Sequence, residues 1–144
     1  MTVSQLSHYK RVHMIGIKGA GMTALAELLL RRGAQVSGSD TDEVFFTDSI
    51  LEKLGIAVNQ SFDTKNIGGD VDLVIYSTAY TKEKNEELAG AYSLGVPVQS
   101  YPEALGALTR EKVTLAVCGT HGKTTTSALL ADTLAYYGKD PSAI

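Results

Sequence analysis

The chain has 144 residues, of which 44% are hydrophobic and 20% charged, an ordinary composition for a soluble globular protein. Its formal net charge of −3 gives no general attraction to nucleic acid or to an anionic membrane. A single cysteine excludes an internal disulfide, and the sequence shows neither a signal peptide nor an apolar run that could span a membrane. A cytoplasmic protein is therefore expected.

Short β-branched runs alternate along the chain with amphipathic segments, which predicts an α/β fold with a mostly parallel sheet of about five strands. The predicted strands are 11–17, 34–40, 56–58, 71–77 and 96–100, and the predicted helices are 22–32, 47–54, 84–94 and 102–109. Gly33, Gly55 and Gly95 each follow a helix and are expected to end it. These elements together predict a Rossmann-like domain that ends near residue 108.

A polar stretch at 108–112 is the expected domain boundary. Beyond it, a buried strand over 113–118 and a helix over 124–137 have the form of the first βα unit of a second domain, which would occupy 109–144. Cys118 lies at the end of that strand and is expected to be packed and inert. A sheet cannot be completed by one strand, so the chain is expected to be a fragment of something longer.

The first glycine-rich stretch is "GIKGAGM", residues 16–22, between a predicted strand and a predicted helix. Glycines there let the backbone approach a phosphate, and Asp40, nineteen residues after Gly21, ends the next strand. The pattern predicts phosphate or pyrophosphate binding; a turn that only packs the helix on the strand is the alternative. Lys18 replaces the middle glycine of the dinucleotide fingerprint. Its charge would suit a diphosphate placed differently from that of NAD, unless the side chain is simply exposed to solvent.

The second stretch is "GTHGKTT", residues 119–125, again between a predicted strand and a predicted helix. It has the "GK[ST]" half of a Walker-type loop, whose lysine reaches the β- and γ-phosphates and whose threonine binds Mg²⁺. Val117 stands where the eight-residue form of the motif has its first glycine. His121 is interpreted as a shape or hydrogen-bonding residue rather than a catalytic base, and His8 and His13 have no metal-ligand spacing with it.

The order of five motifs resembles the Mur ligases of bacterial peptidoglycan synthesis, and among them the branches that join L-alanine or a murein peptide to muramate. The motifs are "HMIGIKGAGMTALAELL", "VSGSD", "LEKLGI", "STA" and "CGTHGKTTT". The resemblance implies that the first turn holds the diphosphate of a UDP-sugar and that the second loop holds ATP.

The resemblance also assigns residues to the two sites. The implied UDP-sugar contacts are Ile17, Lys18, Gly19, Ala20, Gly21 and Met22 around the diphosphate, Ser39 and Asp40 at the uridine, and Ser77, Thr78 and Ala79 along the same pocket. The implied ATP contacts are Gly119, Thr120, His121, Gly122, Lys123, Thr124 and Thr125. Of these, Lys123 and Thr124 would be catalytic, with Thr124 also binding Mg²⁺.

The activity implied for the full-length protein is ligation of L-alanine to UDP-N-acetylmuramate, driven by ATP and Mg²⁺ through an acyl phosphate. The 144 residues alone would bind the UDP-sugar without carrying out ligation, because an acidic magnesium ligand and an amino-acid domain would lie beyond them. The alternatives are a recycling ligase that attaches a preformed peptide, an NAD-binding module, and a UDP-sugar sensor without catalytic activity.

Overall fold

A computed structural model of the protein describes residues 6–144, in two compact units that divide between Glu111 and Lys112. The strands of the first unit are β1 (Arg11–Ile15), β2 (Gln35–Ser39), β3 (Ala57–Asn59), β4 (Leu73–Tyr76) and β5 (Val98–Ser100). Its α-helices are α1 (Ala20–Arg31), α2 (Asp48–Lys53), α3 (Glu86–Leu94) and α4 (Tyr101–Arg110), with short 3₁₀ turns at Leu6–His8 and Thr64–Asn66.

The five strands form one sheet in the order β3-β2-β1-β4-β5, and each neighbouring pair is parallel. The predicted Rossmann-like parallel sheet is therefore confirmed. Helical crossovers account for this arrangement, since a parallel connection must return the chain to the same end of the sheet. Every strand consequently ends at one common edge, where the loops that follow β1, β2 and β4 meet.

Apolar side chains pack on both faces of the sheet, so the domain has two cores. One contains the even positions of β1 together with α1 and α4, and α1 contributes a helical stripe of buried residues, Met22, Leu25, Ala26 and Leu29. The other contains Ile15, Val74 and the inner residues of α3. This two-sided cover explains why β1 and β4 are buried almost throughout.

The first unit closes at Glu111, directly after α4. The Glu111 carboxylate accepts a hydrogen bond from Arg32 Nη1 at 2.7 Å and one from the Ser7 backbone N–H at 3.4 Å. These bonds tie the end of α4 to the end of α1. The assignment of 1–108 and 109–144 to a UDP-sugar domain and the start of an ATP domain remains a prediction.

The second unit, Lys112–Ile144, contains the helix α5 (Lys123–Tyr136), and none of its residues is buried. The predicted strand over 113–118 is wrong: within residues 6–144 these positions belong to no strand and pair with none. The expectation that Cys118 is packed is also wrong, since its side chain is exposed. A strand exists only through hydrogen bonds to a neighbour, and the described chain gives this segment no neighbour.

No helix among the described residues has the length and apolar character needed to cross a membrane.

Candidate functional site

The candidate site lies at the edge of the sheet where the parallel strands end. The chain leaves β1 and β4 on opposite sides at this edge, because β1 connects toward β2 while β4 connects toward β5. Open parallel sheets bind ligands in the crevice at such a reversal of strand order. Three segments surround it: the turn 16–19, the loop 40–47 and the loop 77–85.

The glycine turn is fixed to the end of β2 by backbone hydrogen bonds. The N–H groups of Gly16 and Ile17 donate to the Ser39 carbonyl at 2.8 and 3.2 Å. Gly16 has φ +79°, and a Cβ built on it would lie 2.8 Å from Ser77 Cβ, so a side chain there would meet both strain and a clash. Gly19 is the N-cap residue of α1, and because it has no side chain it leaves the N–H groups of the first turn without a side-chain cap. Such an N-terminus favours an anion.

Asp40 directly follows β2, at the strand end where the sequence placed it, and it lies beside this turn. Its Oδ2 accepts the Lys18 backbone N–H at 2.7 Å, while Oδ1 accepts the Thr41 N–H at 2.8 Å and the Tyr80 hydroxyl at 3.2 Å. The residue is only 4% exposed. The carboxylate therefore joins the turn, the end of β2 and the loop after β4 at a single point.

The Lys18 side chain is 4% exposed, so the alternative that placed it in solvent is wrong. Its ammonium donates to the carbonyls of Thr41 and Glu43 at 2.9 and 2.7 Å and lies 3.4 Å from Asp48 Oδ1. The Thr47 hydroxyl in turn donates to the Lys18 carbonyl at 2.6 Å. Lys18 thus holds the loop 40–47 against the turn, and a contact between its ammonium and a diphosphate stays a prediction.

The other predicted UDP-sugar residues are distributed around the same edge. Ile17, Met22 and Ser39 are buried, so the first two belong to the core and could reach a ligand only through their backbone. The Ser39 hydroxyl has no hydrogen-bond partner within residues 6–144. Ser77 donates its N–H to the Ile15 carbonyl at 2.9 Å and accepts the Ala79 N–H at 3.4 Å. Thr78 and Ala79, the next two residues of this loop, are exposed to solvent.

Two tyrosines at this edge were not predicted from the sequence. The Tyr80 ring lies over Gly16, with Cε2 at 2.7 Å from the position of a Gly16 Cβ. The Tyr101 hydroxyl would lie 2.6 Å from a Cβ on Gly21, so it packs on the first turn of α1. Burial raises the pKa of both phenols, that of Tyr80 to about 12 with Asp40 as a further cause. Each residue closely follows a strand end, which is the signal that could have identified it.

The second glycine loop is organised only locally. Gly122 has φ +76° and precedes α5 without a side-chain cap, while Lys123 Nζ donates to the Gly119 carbonyl at 2.8 Å. Every residue from Gly119 to Thr125 is exposed. Uncapped N–H groups beside a lysine suit a phosphate, so the loop fits ATP in chemistry. The described residues contain no cluster of three or more His, Cys, Asp or Glu that could hold a metal, and Mg²⁺ binding by Thr124 stays a prediction.

The strand order, the glycine turn and the acidic residue after β2 define a Rossmann-like domain, with its crevice at the reversal of strand order. Residues 11–113 of the chain match the family model described as "Mur ligase family, catalytic domain". The chain therefore belongs to the Mur ligase family.

Individual relatives are similar over almost the whole chain. A UDP-N-acetylmuramate–L-alanine ligase of Treponema pallidum is 49% identical over 134 residues, which cover 93% of this chain and 28% of that protein. The crystal structure of a UDP-N-acetylmuramate-alanine ligase from Thermotoga maritima superposes with TM-score 0.82 at 37% identity, covering 93% of this chain and 31% of that one.

A second type of ligase is also similar. The UDP-N-acetylmuramate:L-alanyl-γ-D-glutamyl-meso-diaminopimelate ligase from Neisseria meningitides superposes with TM-score 0.77 at 33% identity, covering 90% of this chain and 40% of that one. The chain spans less than a third of the length of the two alanine ligases.

Proposed function

We propose that the first unit binds the UDP-sugar of a muramate–alanine ligase and that residues 112–144 begin its ATP-binding domain. The observation that carries the proposal is the 49% identity to the Treponema pallidum ligase, which runs through both glycine loops. In the complete enzyme the reaction would be ligation of L-alanine to UDP-N-acetylmuramate in the cytoplasm, as a step of peptidoglycan synthesis.

In the proposed mechanism the first unit binds and orients the UDP-sugar. The uncapped N–H groups at the start of α1 would bind the diphosphate, because the helix dipole and free donors both favour negative charge there. Asp40 would accept a hydrogen bond from the nucleoside, and the loop 77–79 would line the pocket. The bonds of Lys18 to the loop 40–47 would keep this arrangement rigid before the ligand arrives.

The second unit would contribute the phosphate-binding loop. ATP, when bound, supplies the phosphoryl group that activates the muramyl carboxylate, and Mg²⁺ neutralises charge on the phosphates. Lys123 would exchange its 2.8 Å bond to the Gly119 carbonyl for a phosphate oxygen, and the first N–H groups of α5 would bind neighbouring oxygens. Thr124 would provide one magnesium ligand. Since further ligands and the amino-acid site would lie outside the 144 residues, the chain by itself should not catalyse ligation.

Isothermal titration calorimetry of the 144-residue chain with UDP-N-acetylmuramate, UDP and NAD tests the UDP-sugar assignment. Saturable binding of the first two and none of NAD is expected. Binding of NAD with both uridine nucleotides ignored would reject it.

A second candidate is a ligase that attaches a preformed peptide, and the similarity to the Neisseria meningitides structure favours it. Such an enzyme would share both glycine loops with an alanine ligase and differ in the domain that binds the acceptor. The test is phosphate release by the full-length protein from ATP and UDP-N-acetylmuramate, with L-alanine or with L-alanyl-γ-D-glutamyl-meso-diaminopimelate as the acceptor. We expect release with L-alanine; release with the tripeptide alone would establish the second candidate.

A further inference from the structure

Tyr80 bridges the predicted ligand crevice from one side to the other. It belongs to the loop after β4, its ring lies on Gly16 at the end of β1, and its hydroxyl donates to Asp40 after β2. The ring also packs on Phe62, with centroids 4.7 Å apart. A single side chain therefore lies across the glycine turn and joins the two loops between which a nucleotide would have to enter.

The hydrogen bonds of Asp40 show which of its partners could give way to a ligand. Three donors bond to the Asp40 carboxylate, and the residue is only 4% exposed, so a ligand can reach this carboxylate only where one of the three partners moves away. Two of the donors are backbone N–H groups, that of Lys18 in the turn and that of Thr41 next to Asp40 in the chain, so they can move only together with the backbone. The Tyr80 hydroxyl is the only side-chain donor of the three, and its 3.2 Å bond is longer than theirs, at 2.7 and 2.8 Å.

We propose that Tyr80 is a displaceable gate on the UDP-sugar site: its hydroxyl occupies the acceptor position of Asp40 that the nucleoside uses, and ligand binding exchanges one donor for the other. The inference rests on the proposed UDP-sugar binding and makes Tyr80 a competitor of the ligand. The exchange balances in hydrogen bonds, since Asp40 loses one donor and gains another. It also uncovers the backbone of Gly16, over which the ring lies.

The structure provides space for the displaced ring. Tyr80 lies in the wall of a neighbouring cavity of about 350 Å³, whose lining includes Tyr76, Thr78, Leu88 and Tyr92. A rotated phenol ring can pack there against aromatic and aliphatic side chains, so opening the gate does not force the ring fully into water. Burial and the neighbouring Asp40 raise the Tyr80 pKa to about 12, so the phenol is a neutral donor in the position that the structure shows.

The test is the UDP affinity of Tyr80→Phe, which keeps the ring on Gly16 and Phe62 and removes only the competing hydroxyl. We expect UDP to bind about 3- to 10-fold more tightly, the range that corresponds to one ordinary hydrogen bond no longer broken on binding. Tyr136→Phe is the matched control, because Tyr136 is 83% exposed in the second unit, and its affinity should equal that of the wild type. Unchanged or weaker UDP binding by Tyr80→Phe would overturn the gate.

The variant Asp40→Asn tests whether the increase in UDP affinity of Tyr80→Phe depends on Asp40. In that background Tyr80→Phe should give no further increase in affinity, and an undiminished increase would show that the hydroxyl does not act through Asp40. A second measurement uses chains with labelled tyrosine rings: the Tyr80 resonance, assigned from its loss in Tyr80→Phe, should shift on addition of UDP. A Tyr80 resonance unmoved at UDP saturation would refute the gate. If the wild-type chain binds neither UDP nor UDP-N-acetylmuramate, the proposed function itself has failed.

Discussion

The two glycine loops of this chain have similar sequence patterns but differ in the strands and the core that hold them in place. The turn after β1 is hydrogen-bonded to the end of β2 and precedes α1, which packs one face into a core of the domain. The loop before α5 follows a segment that no described strand joins, and α5 has no buried residue. Local sequence is thus enough to make a glycine turn and a helix start. Rigidity depends on strands contributed from elsewhere in the chain.

Amide hydrogen exchange should show the largest difference between the two regions. The amides of Met14 and Ile15 lie in a central strand, so their exchange requires opening of the sheet, whereas Leu115 and Val117 lie in an unpaired segment. We expect roughly a thousand-fold more protection in β1, as for core amides of an ordinarily stable domain. Comparable protection at 115 and 117 would mean that this segment forms a paired strand in solution.

The two helices that follow the loops should differ in the cost of losing a leucine. Leu25 in α1 is fully buried, and Leu25→Ala should lower the free energy of unfolding by about 2–5 kcal/mol. Leu129 in α5 is 64% exposed, and Leu129→Ala should change it by less than about 0.5 kcal/mol. Urea denaturation followed by circular dichroism measures both. Equal losses would show that α5 packs on a core of its own.

The two loop lysines give a smaller contrast. Lys18→Met should cost about 1–3 kcal/mol of stability, because the carbonyls of Thr41 and Glu43 lose a charged donor. Lys123→Met should be neutral within about 0.5 kcal/mol, since the Lys123 side chain is exposed and bonds only to the carbonyl of its own loop. The same denaturation measurement applies. If Lys18→Met left the free energy of unfolding unchanged, Lys18 would not be the residue that holds the loop 40–47.

The smallest expected effect concerns how the helices begin. Helix α4 starts with Ser100, whose hydroxyl and N–H both donate to Glu103 at 2.7 Å, while α5 starts at an uncapped glycine. These bonds hold the pKa of Glu103 below its ordinary value of 4.5. A lowered folded-state pKa stabilises the fold above that value, and the contribution is lost as the pH falls through the lower, folded pKa. Because Glu103 is exposed and its charge is screened by solvent, Glu103→Ala should cost at most about 1 kcal/mol at pH 7.

Urea denaturation of the wild type and of Glu103→Ala at a series of pH values from 7 down to 3 checks this prediction. The deficit of Glu103→Ala relative to the wild type should shrink as the carboxyl becomes protonated below pH 4.5. A deficit that stays constant down to pH 3 would mean that Glu103 acts through packing instead of through its charge.

The features that the sequence predicts correctly have local causes, and those that it does not predict depend on contacts between distant segments. Apolar periodicity and helix-ending glycines are local, and they predicted the parallel sheet; the spacing of Asp40 after the glycine turn predicted its place at the end of the second strand. The strand expected at 113–118 was wrong because a strand depends on its neighbours, and periodicity does not show whether they exist. The contacts of Lys18 with the loop 40–47, and of Tyr80 with Asp40, depend on side-chain orientation between distant segments, which no spacing along the sequence encodes.

The most direct test of the central claim compares two ligands on one protein. UDP and Mg-ATP would each be titrated into the 144-residue chain by calorimetry under identical conditions. If the supported loop is functional and the unsupported one is not, UDP should saturate the chain with a dissociation constant in the micromolar range, and Mg-ATP should show no saturation up to about 1 mM. Micromolar binding of Mg-ATP would contradict the account, since it would show that the second loop needs no sheet behind it.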